Sequence, residues 1–91
     1  MAEIAIAPLG GRLFEVRVRQ GGTETQHQVT VPERLPNGPD LGADDLERIV
    51  GESFRFLLER ERASSILTRF SLSDITRYFP EYPAEIARRL A

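Results

Sequence analysis

The sequence predicts an α+β domain, in which a two- or three-stranded antiparallel sheet packs on one long amphipathic helix with one or two short C-terminal helices. Three observations predict this class. The N-terminal third alternates apolar and polar residues around Gly-Gly turns, as paired strands do. Apolar residues then recur every three or four positions from Leu46 to Leu58, which places them on one helical face. A Pro- and Gly-rich linker, residues 32–43, separates the two patterns.

Residues 1–31 are predicted to form a β-hairpin or meander. Residues 3–7 alternate weakly before Pro8 and are a candidate edge strand, so whether they join the sheet stays open. Residues 12–19 alternate clearly, and residues 24–31 supply the return strand.

The Gly21-Gly22 pair is predicted to be a two-residue hairpin turn, because glycine accepts the positive φ angles that such turns need. With these two residues as the loop, Val16 lies opposite His27. A shift of one residue would mix the polar and apolar faces, so the register is well specified. The register places the following apolar side chains on the face toward the helix: Phe14, Val16, Val18, Val29 and Val31.

Residues 44–67 are predicted to form the long helix, with Asp44 and Glu47 at the spacing of a capping box. Gly51 costs about 1 kcal/mol relative to alanine. Either another element packs closely there or the helix tolerates it, and tolerance is the preferred interpretation. Phe56 lies outside the main apolar stripe, so the helix is predicted to be covered from a second side, with a second copy of the chain as a candidate cover.

Residues 71–91 are predicted to form short helices after a break at residues 68–70. Ser71–Asp74 has the pattern of a helix N-terminal cap, and Pro80 stops the helix that follows. Pro83 suits the first position of a last helix. The aromatic residues of this segment are predicted to hold it against the long helix: Phe70, Tyr78, Phe79 and Tyr82.

The bulk composition predicts one domain, residues 1–91, in a cytoplasmic bacterial protein. The net charge of −2 does not favour a nucleic-acid or membrane partner, and the twelve basic residues are all arginine, as a GC-rich genome would favour. No cysteine is present, which excludes disulfides and thiolate chemistry. No apolar run has the length of a membrane span, and no signal segment is expected.

Catalysis is not predicted, and no catalytic, cofactor-binding or metal-ligating residue is assigned. His27 is the one histidine, and no cysteine or second histidine exists to complete a zinc site with it. The chain also lacks lysine and a phosphate-binding glycine loop. The acidic pairs Asp44/Asp45 and Glu59/Glu61 have the spacing of a solvated helix surface. We therefore expect no enzyme and no cofactor.

Residues 72–90 resemble a helix-turn-helix in outline. In that arrangement the phosphates of a nucleic acid would be faced by Arg77, Arg88 and Arg89. The last helix would be barely two turns long. Residues 63–91 carry four arginines against three acidic residues, and phosphate contacts dominate nucleic-acid affinity. A small nucleic-acid-binding regulator is therefore the alternative prediction and not the first.

The whole chain resembles a group of short uncharacterised bacterial proteins with a hairpin, a long helix and an aromatic tail. The stretches that carry this resemblance are LGGRLFEVRV, ESFRFLLERE and SILTRFSLSDITRYFPEYPAEI. The resemblance implies the fold but no activity and no site residues. The order of hairpin and helix is also similar to that of antitoxin-type small proteins, without a basic DNA-binding segment.

The predicted function is protein–protein interaction, with self-association as a homodimer as its first form. A chain of 91 residues has a small core, so apolar surface remains for a partner. Exposed sheet edges add a second site for pairing. The candidate interaction residues are Phe56, Arg77, Arg88 and Arg89.

Overall fold

The structure is a computed structural model, and it describes residues 2–35, 38–42 and 45–91. Within these residues, four strands and three α-helices follow one another. They are β1 (Ala2–Gly10), β2 (Leu13–Gln20), β3 (Thr23–Thr30), α1 (Leu46–Leu58), β4 (Arg69–Ser71), α2 (Ile75–Tyr78) and α3 (Tyr82–Leu90). Short 3-10 turns at Ala63–Ser65 and Leu72–Asp74 lie on either side of β4.

The strands form one mixed sheet in the order β1-β2-β3-β4. The first three strands are an antiparallel meander, and β4 pairs parallel to β3 after the chain has passed through α1. The α+β class is confirmed. The predicted sheet of two or three antiparallel strands is wrong in strand number and in the direction of the last strand. The reason is that β4 spans Arg69–Ser71, whereas the sequence predicted a break at residues 68–70 and a helix cap from Ser71 onward.

The hairpin register is confirmed along its whole length. Gly21 and Gly22 have φ angles of 56° and 83° and form the two-residue turn. Val16 lies opposite His27, as the turn requires. The sheet face toward α1 is accordingly apolar, and its buried aliphatic and aromatic residues are Phe14, Val16, Val18, Val29 and Val31.

The open question about residues 3–7 is settled by β1, which pairs antiparallel with β2 from Ala2 onward. Ile4 lies opposite Val18, and the pairing becomes irregular between Pro8 and Gly10. Proline has no N–H to donate to a ladder, which suits its place near the end of an edge strand. β1 is therefore one of the two edge strands of the described sheet, and β4 is the other.

The helix α1 ends at Leu58, so the predicted helix of residues 44–67 is too long. The apolar stripe itself ends there, since the next positions on that face are Glu61 and Arg62. Arg62 is extended, with ψ at 154°, and the following Ala63 donates its backbone N–H to the Gln20 side chain at 3.1 Å. Residues after 58 gain more by packing against the sheet than by continuing a polar helix.

Of the two predicted helix N-terminal caps, one is confirmed and the other lies partly outside the described residues. The Ser71 hydroxyl accepts the Ser73 backbone N–H at 3.3 Å, and the Asp74 carboxylate accepts the Ser71 backbone N–H at 3.0 Å. The box at the start of the C-terminal helices is therefore confirmed. The other box depends on Asp44, which lies outside the described residues.

The linker of residues 32–43 contributes to the core. Leu35 and Leu41 are fully buried or nearly so. The Arg12 guanidinium donates to the backbone carbonyl of Val31 at 2.8 Å and also to the carbonyl of Leu41. One side chain thus holds both ends of the linker.

Gly51 is buried where α1 crosses β1. A methyl group built on Gly51 would lie 3.4 Å from the Ile6 Cδ1 atom, which is close to ordinary van der Waals contact. An element does pack against this glycine, and space for one carbon atom remains.

We expect Gly51→Ala to raise the free energy of unfolding by about 0.5–1 kcal/mol, because alanine restricts the unfolded chain and favours the helix. Urea denaturation followed by circular dichroism measures this change. Gly38→Ala is the opposing control, since its new methyl would lie 2.9 Å from side-chain carbons of Leu35 and Pro83 and must displace them. A Gly51→Ala protein that is less stable than the wild type would contradict the available space.

Candidate interaction surfaces

Phe56 lies inside the chain, with none of its surface exposed. Its ring centroid is 5.2 Å from that of Tyr82 and 5.9 Å from that of Phe79. The Arg60 guanidinium covers the ring at 3.7 Å from the centroid. The helix α1 is covered from a second side, and that cover is the chain's own C-terminal segment. The assignment of Phe56 to an interaction surface is therefore corrected, because no part of the ring can reach a partner.

The contact between α1 and α3 contains one buried polar pair. The Ser53 hydroxyl donates to the Ile49 carbonyl at 2.7 Å, so the Tyr82 hydroxyl donates to the Ser53 oxygen at 2.6 Å. Burial raises the pKa of Tyr82 to about 12, and the hydrogen bond with Ser53 offsets a part of that rise. The pair fixes where α3 lies on α1.

The three arginines that were predicted as interaction residues do not form one basic surface. Arg89 has 18% of its side chain exposed and donates to Glu59 at 2.7 Å and to Glu85 at 3.2 Å. Arg88 also pairs with Glu85, and these hydrogen bonds lower the pKa of the Glu85 carboxyl. Arg77 is exposed on α2, which is a single turn. Carboxylates thus neutralise two of the three cations.

His27 is 2% exposed and joins three parts of the fold. Its Nδ1 lies 2.8 Å from the Leu67 carbonyl oxygen, and its Nε2 lies 2.8 Å from the Thr25 hydroxyl. Because a carbonyl only accepts, Nδ1 carries the proton and Nε2 can accept from the hydroxyl. The imidazole also packs on the Phe54 ring at 5.4 Å. Both nitrogens are engaged in structural hydrogen bonds, so neither is directed at a substrate or metal.

Within residues 2–35, 38–42 and 45–91, no group of three potential ligands lies close enough to hold a metal ion. The expectation that the chain needs no metal and no cofactor, and is not an enzyme, stays a prediction. None of the helices in the described part of the chain has the length and apolar character needed to cross a lipid bilayer.

The outer edge of β1 is the largest surface of unpaired backbone in the described sheet. β1 has nine residues. In the part of the chain that the structure describes, a strand lies beside β1 on one side, and no strand lies on the other. Ile4 and Ile6 point toward the core but remain partly exposed, whereas Ala5 and Ala7 are exposed on the opposite face. A strand of this kind is a template for another strand.

The protection of the β1 edge is uneven along its length. Proteins shield sheet edges with proline, bulges and charges. Pro8 and the irregular pairing beside it protect the end of β1. Residues 2–7 carry one charge, Glu3, and otherwise small or branched apolar side chains. The unshielded part of the edge is therefore this run of six residues. The sequence predicted exposed sheet edges and a candidate edge strand at residues 3–7, but it did not single out this strand as the interaction surface.

Comparison of the chain with protein-family models, with curated proteins and with solved structures gave no match. The resemblance to uncharacterised bacterial proteins stays a prediction.

Proposed function

We propose that this protein is a protein–protein interaction module that self-associates through the edge of β1. Two copies of β1 would pair antiparallel around a twofold axis and join two four-stranded sheets into one. The observation that carries the proposal is the unpaired run of residues 2–7 with two partly exposed isoleucines behind it. Phe56 takes no part in this interface, because its own chain covers it.

The sequence of β1 is complementary to itself when Ala5 lies on the twofold axis. Ile4 of one copy is then opposite Ile6 of the other, so both isoleucines gain an apolar neighbour on the core side. On the opposite face Glu3 lies across from the partner's Ala7, and no like charges meet.

Charges on β2 agree with the same register. In each chain Glu3 lies beside Arg19, and Ala7 lies beside Glu15. One line of facing residues across the joined sheet would then consist of Arg19, Glu3, the partner's Ala7 and the partner's Glu15. Ala5 lies beside Arg17, so the central row of the seam has a cation on each flank, and each Arg17 pairs with Glu15 of its own strand at 3.3 Å.

We expect the purified wild-type chain to have a mass near twice 10.3 kDa in size exclusion with light scattering. Ala5→Lys places two ammonium groups directly opposite each other between the two copies of Arg17. The dissociation constant should rise by about tenfold, because like charges in facing positions destabilise a strand pair. Mixing Ala5→Lys with Ala5→Glu chains should restore the dimer.

The matched control is Ala84→Lys, the same change at an exposed position of α3. It should leave the mass unchanged, and circular dichroism of each variant verifies that it is folded. A wild-type chain that stays monomeric at high concentration would contradict the proposal. Equal masses for the Ala5→Lys and wild-type chains would show that the dimer interface does not lie at β1.

A further inference from the structure

An apolar groove lies between the C-terminal end of α1 and the single-turn helix α2. We call it the α1–α2 groove. Its volume is about 210 Å³. Buried apolar side chains form its floor, and the Tyr78 ring, 64% exposed, stands at its rim. The residues that line the groove include Leu57, Glu61, Ile66, Asp74, Ile75 and Tyr78.

The size of the groove suits one large apolar side chain. A dry cavity of about 150 Å³ is enough to hold benzene. The α1–α2 groove is larger and open on one side, so a leucine or phenylalanine side chain can enter while its backbone stays outside. Leu67 and Tyr78 are two of the three large apolar residues that are most exposed in the described chain, and both line this groove. Apolar surface of this kind is retained where a partner covers it.

The charges at the groove are all of one sign. Glu61 and Asp74 line it, and no arginine does so among the described residues, although the chain has twelve. Glu61 makes no ion pair in residues 2–35, 38–42 and 45–91, and partial burial raises the pKa of its carboxyl. One oxygen of Asp74 accepts the Ser71 backbone N–H. Its other oxygen accepts no hydrogen bond from the residues that the structure describes.

We propose that the α1–α2 groove binds a short segment of another protein, in which a leucine or phenylalanine side chain fills the groove and flanking arginines pair with Glu61 and Asp74. The inference rests on the role as an interaction module but not on self-association through β1. A second copy of the chain is a poorer occupant. Among the described residues, Leu9 is the remaining large apolar side chain that is strongly exposed, and the nearby Arg12 already donates to backbone carbonyls. The two carboxylates would repel a nucleic acid or an anionic lipid surface.

The test is an NMR titration of the Ala5→Lys chain, in which self-association at β1 is weakened. The probe is the end-blocked pentapeptide Ala-Arg-Leu-Arg-Ala. We expect saturable shifts at Ile66, Ile75 and Tyr78. The peptides Ala-Arg-Ser-Arg-Ala and Ala-Glu-Leu-Glu-Ala should bind at least about tenfold more weakly, since one lacks the apolar side chain and the other carries the wrong charge.

Substitutions of Glu61 test the charge. Glu61→Gln should weaken binding by about threefold to fivefold, as expected for a partly exposed ion pair. Glu61→Arg should reduce or reverse the preference for the basic peptide, and Glu47→Gln, at the other end of α1, should change nothing. Equal binding of the leucine and serine peptides, or shifts confined to residues outside the groove, would overturn the proposal. A monomeric wild-type chain would refute the β1 proposal and leave this result unaffected.

Discussion

Replacing Phe56 by alanine is expected to lower the free energy of unfolding by about 3–5 kcal/mol, the usual cost of emptying a buried aromatic site. The ring is completely buried between α1 and the C-terminal segment. Its loss would remove the contacts with Phe79 and Tyr82 and also the surface under the Arg60 guanidinium. A cation over an aromatic face adds about 0.5–1 kcal/mol at such sites.

Urea denaturation at several protein concentrations measures this loss and separates it from any effect on association. Tyr78→Ala is the matched control, because this aromatic side chain is 64% exposed and its removal should change the unfolding free energy by less than about 0.5 kcal/mol. A Phe56→Ala chain of near wild-type stability with a halved solution mass would show that the ring serves an interface instead of the core.

The hairpin could be predicted in detail because its determinants are local. Two adjacent glycines adopt the positive φ angles of a tight turn, and the turn length alone sets which residues of β2 and β3 face each other. Alternation then assigns each side chain to a face. The same information was too weak for β1, where alternation is faint and pairing depends on β2.

The end of α1 was predictable in principle. The last residues of its apolar stripe are Leu57 and Leu58, and four charged residues, 59–62, follow. Helix propensity alone allows glutamate and arginine to continue a helix, which led to the longer prediction. The tertiary structure ends the helix because Ala63 and Ile66 are buried elsewhere in the core.

The short strand β4 left no recognisable pattern in the sequence. Three residues are too few for a period, and only Phe70 is buried. Its partner, β3, precedes α1 in the chain, so the pairing is decided by how the intervening helix packs. Strand formation here is a consequence of tertiary structure.

The environment of Phe56 likewise depends on tertiary structure, which limited the prediction of an interaction surface from the sequence. The sequence indicated correctly that α1 has two apolar sides. It could not show whether the second side meets another copy or the chain's own tail, because that depends on the position of α3. The hydrogen bond between Tyr82 and Ser53 fixes this position, and no sequence spacing indicates it.

The fold is expected to lose about 2–3 kcal/mol of its free energy of unfolding as the pH rises from 10 to 12, through Tyr82. In the unfolded chain the phenol ionises near pH 10. In the folded chain burial raises its pKa to about 12. Between these values the folded state holds a proton that the unfolded state has lost, so stability falls as pH rises. The contribution is complete below pH 10 and is lost as the pH passes the folded-state pKa.

Urea denaturation at intervals from pH 9 to pH 12 gives this slope, and near-ultraviolet absorbance follows tyrosinate formation in the folded chain. Tyr82→Phe should remove the slope at a cost of about 1 kcal/mol at neutral pH, since Ser53 keeps its bond to Ile49. Tyr78→Phe should retain the slope. Ser53→Ala should move the transition to still higher pH, because the hydrogen bond with Ser53 lowers the pKa of the phenol. A slope that survives unchanged in Tyr82→Phe would contradict the prediction and assign the alkaline loss of stability to other groups.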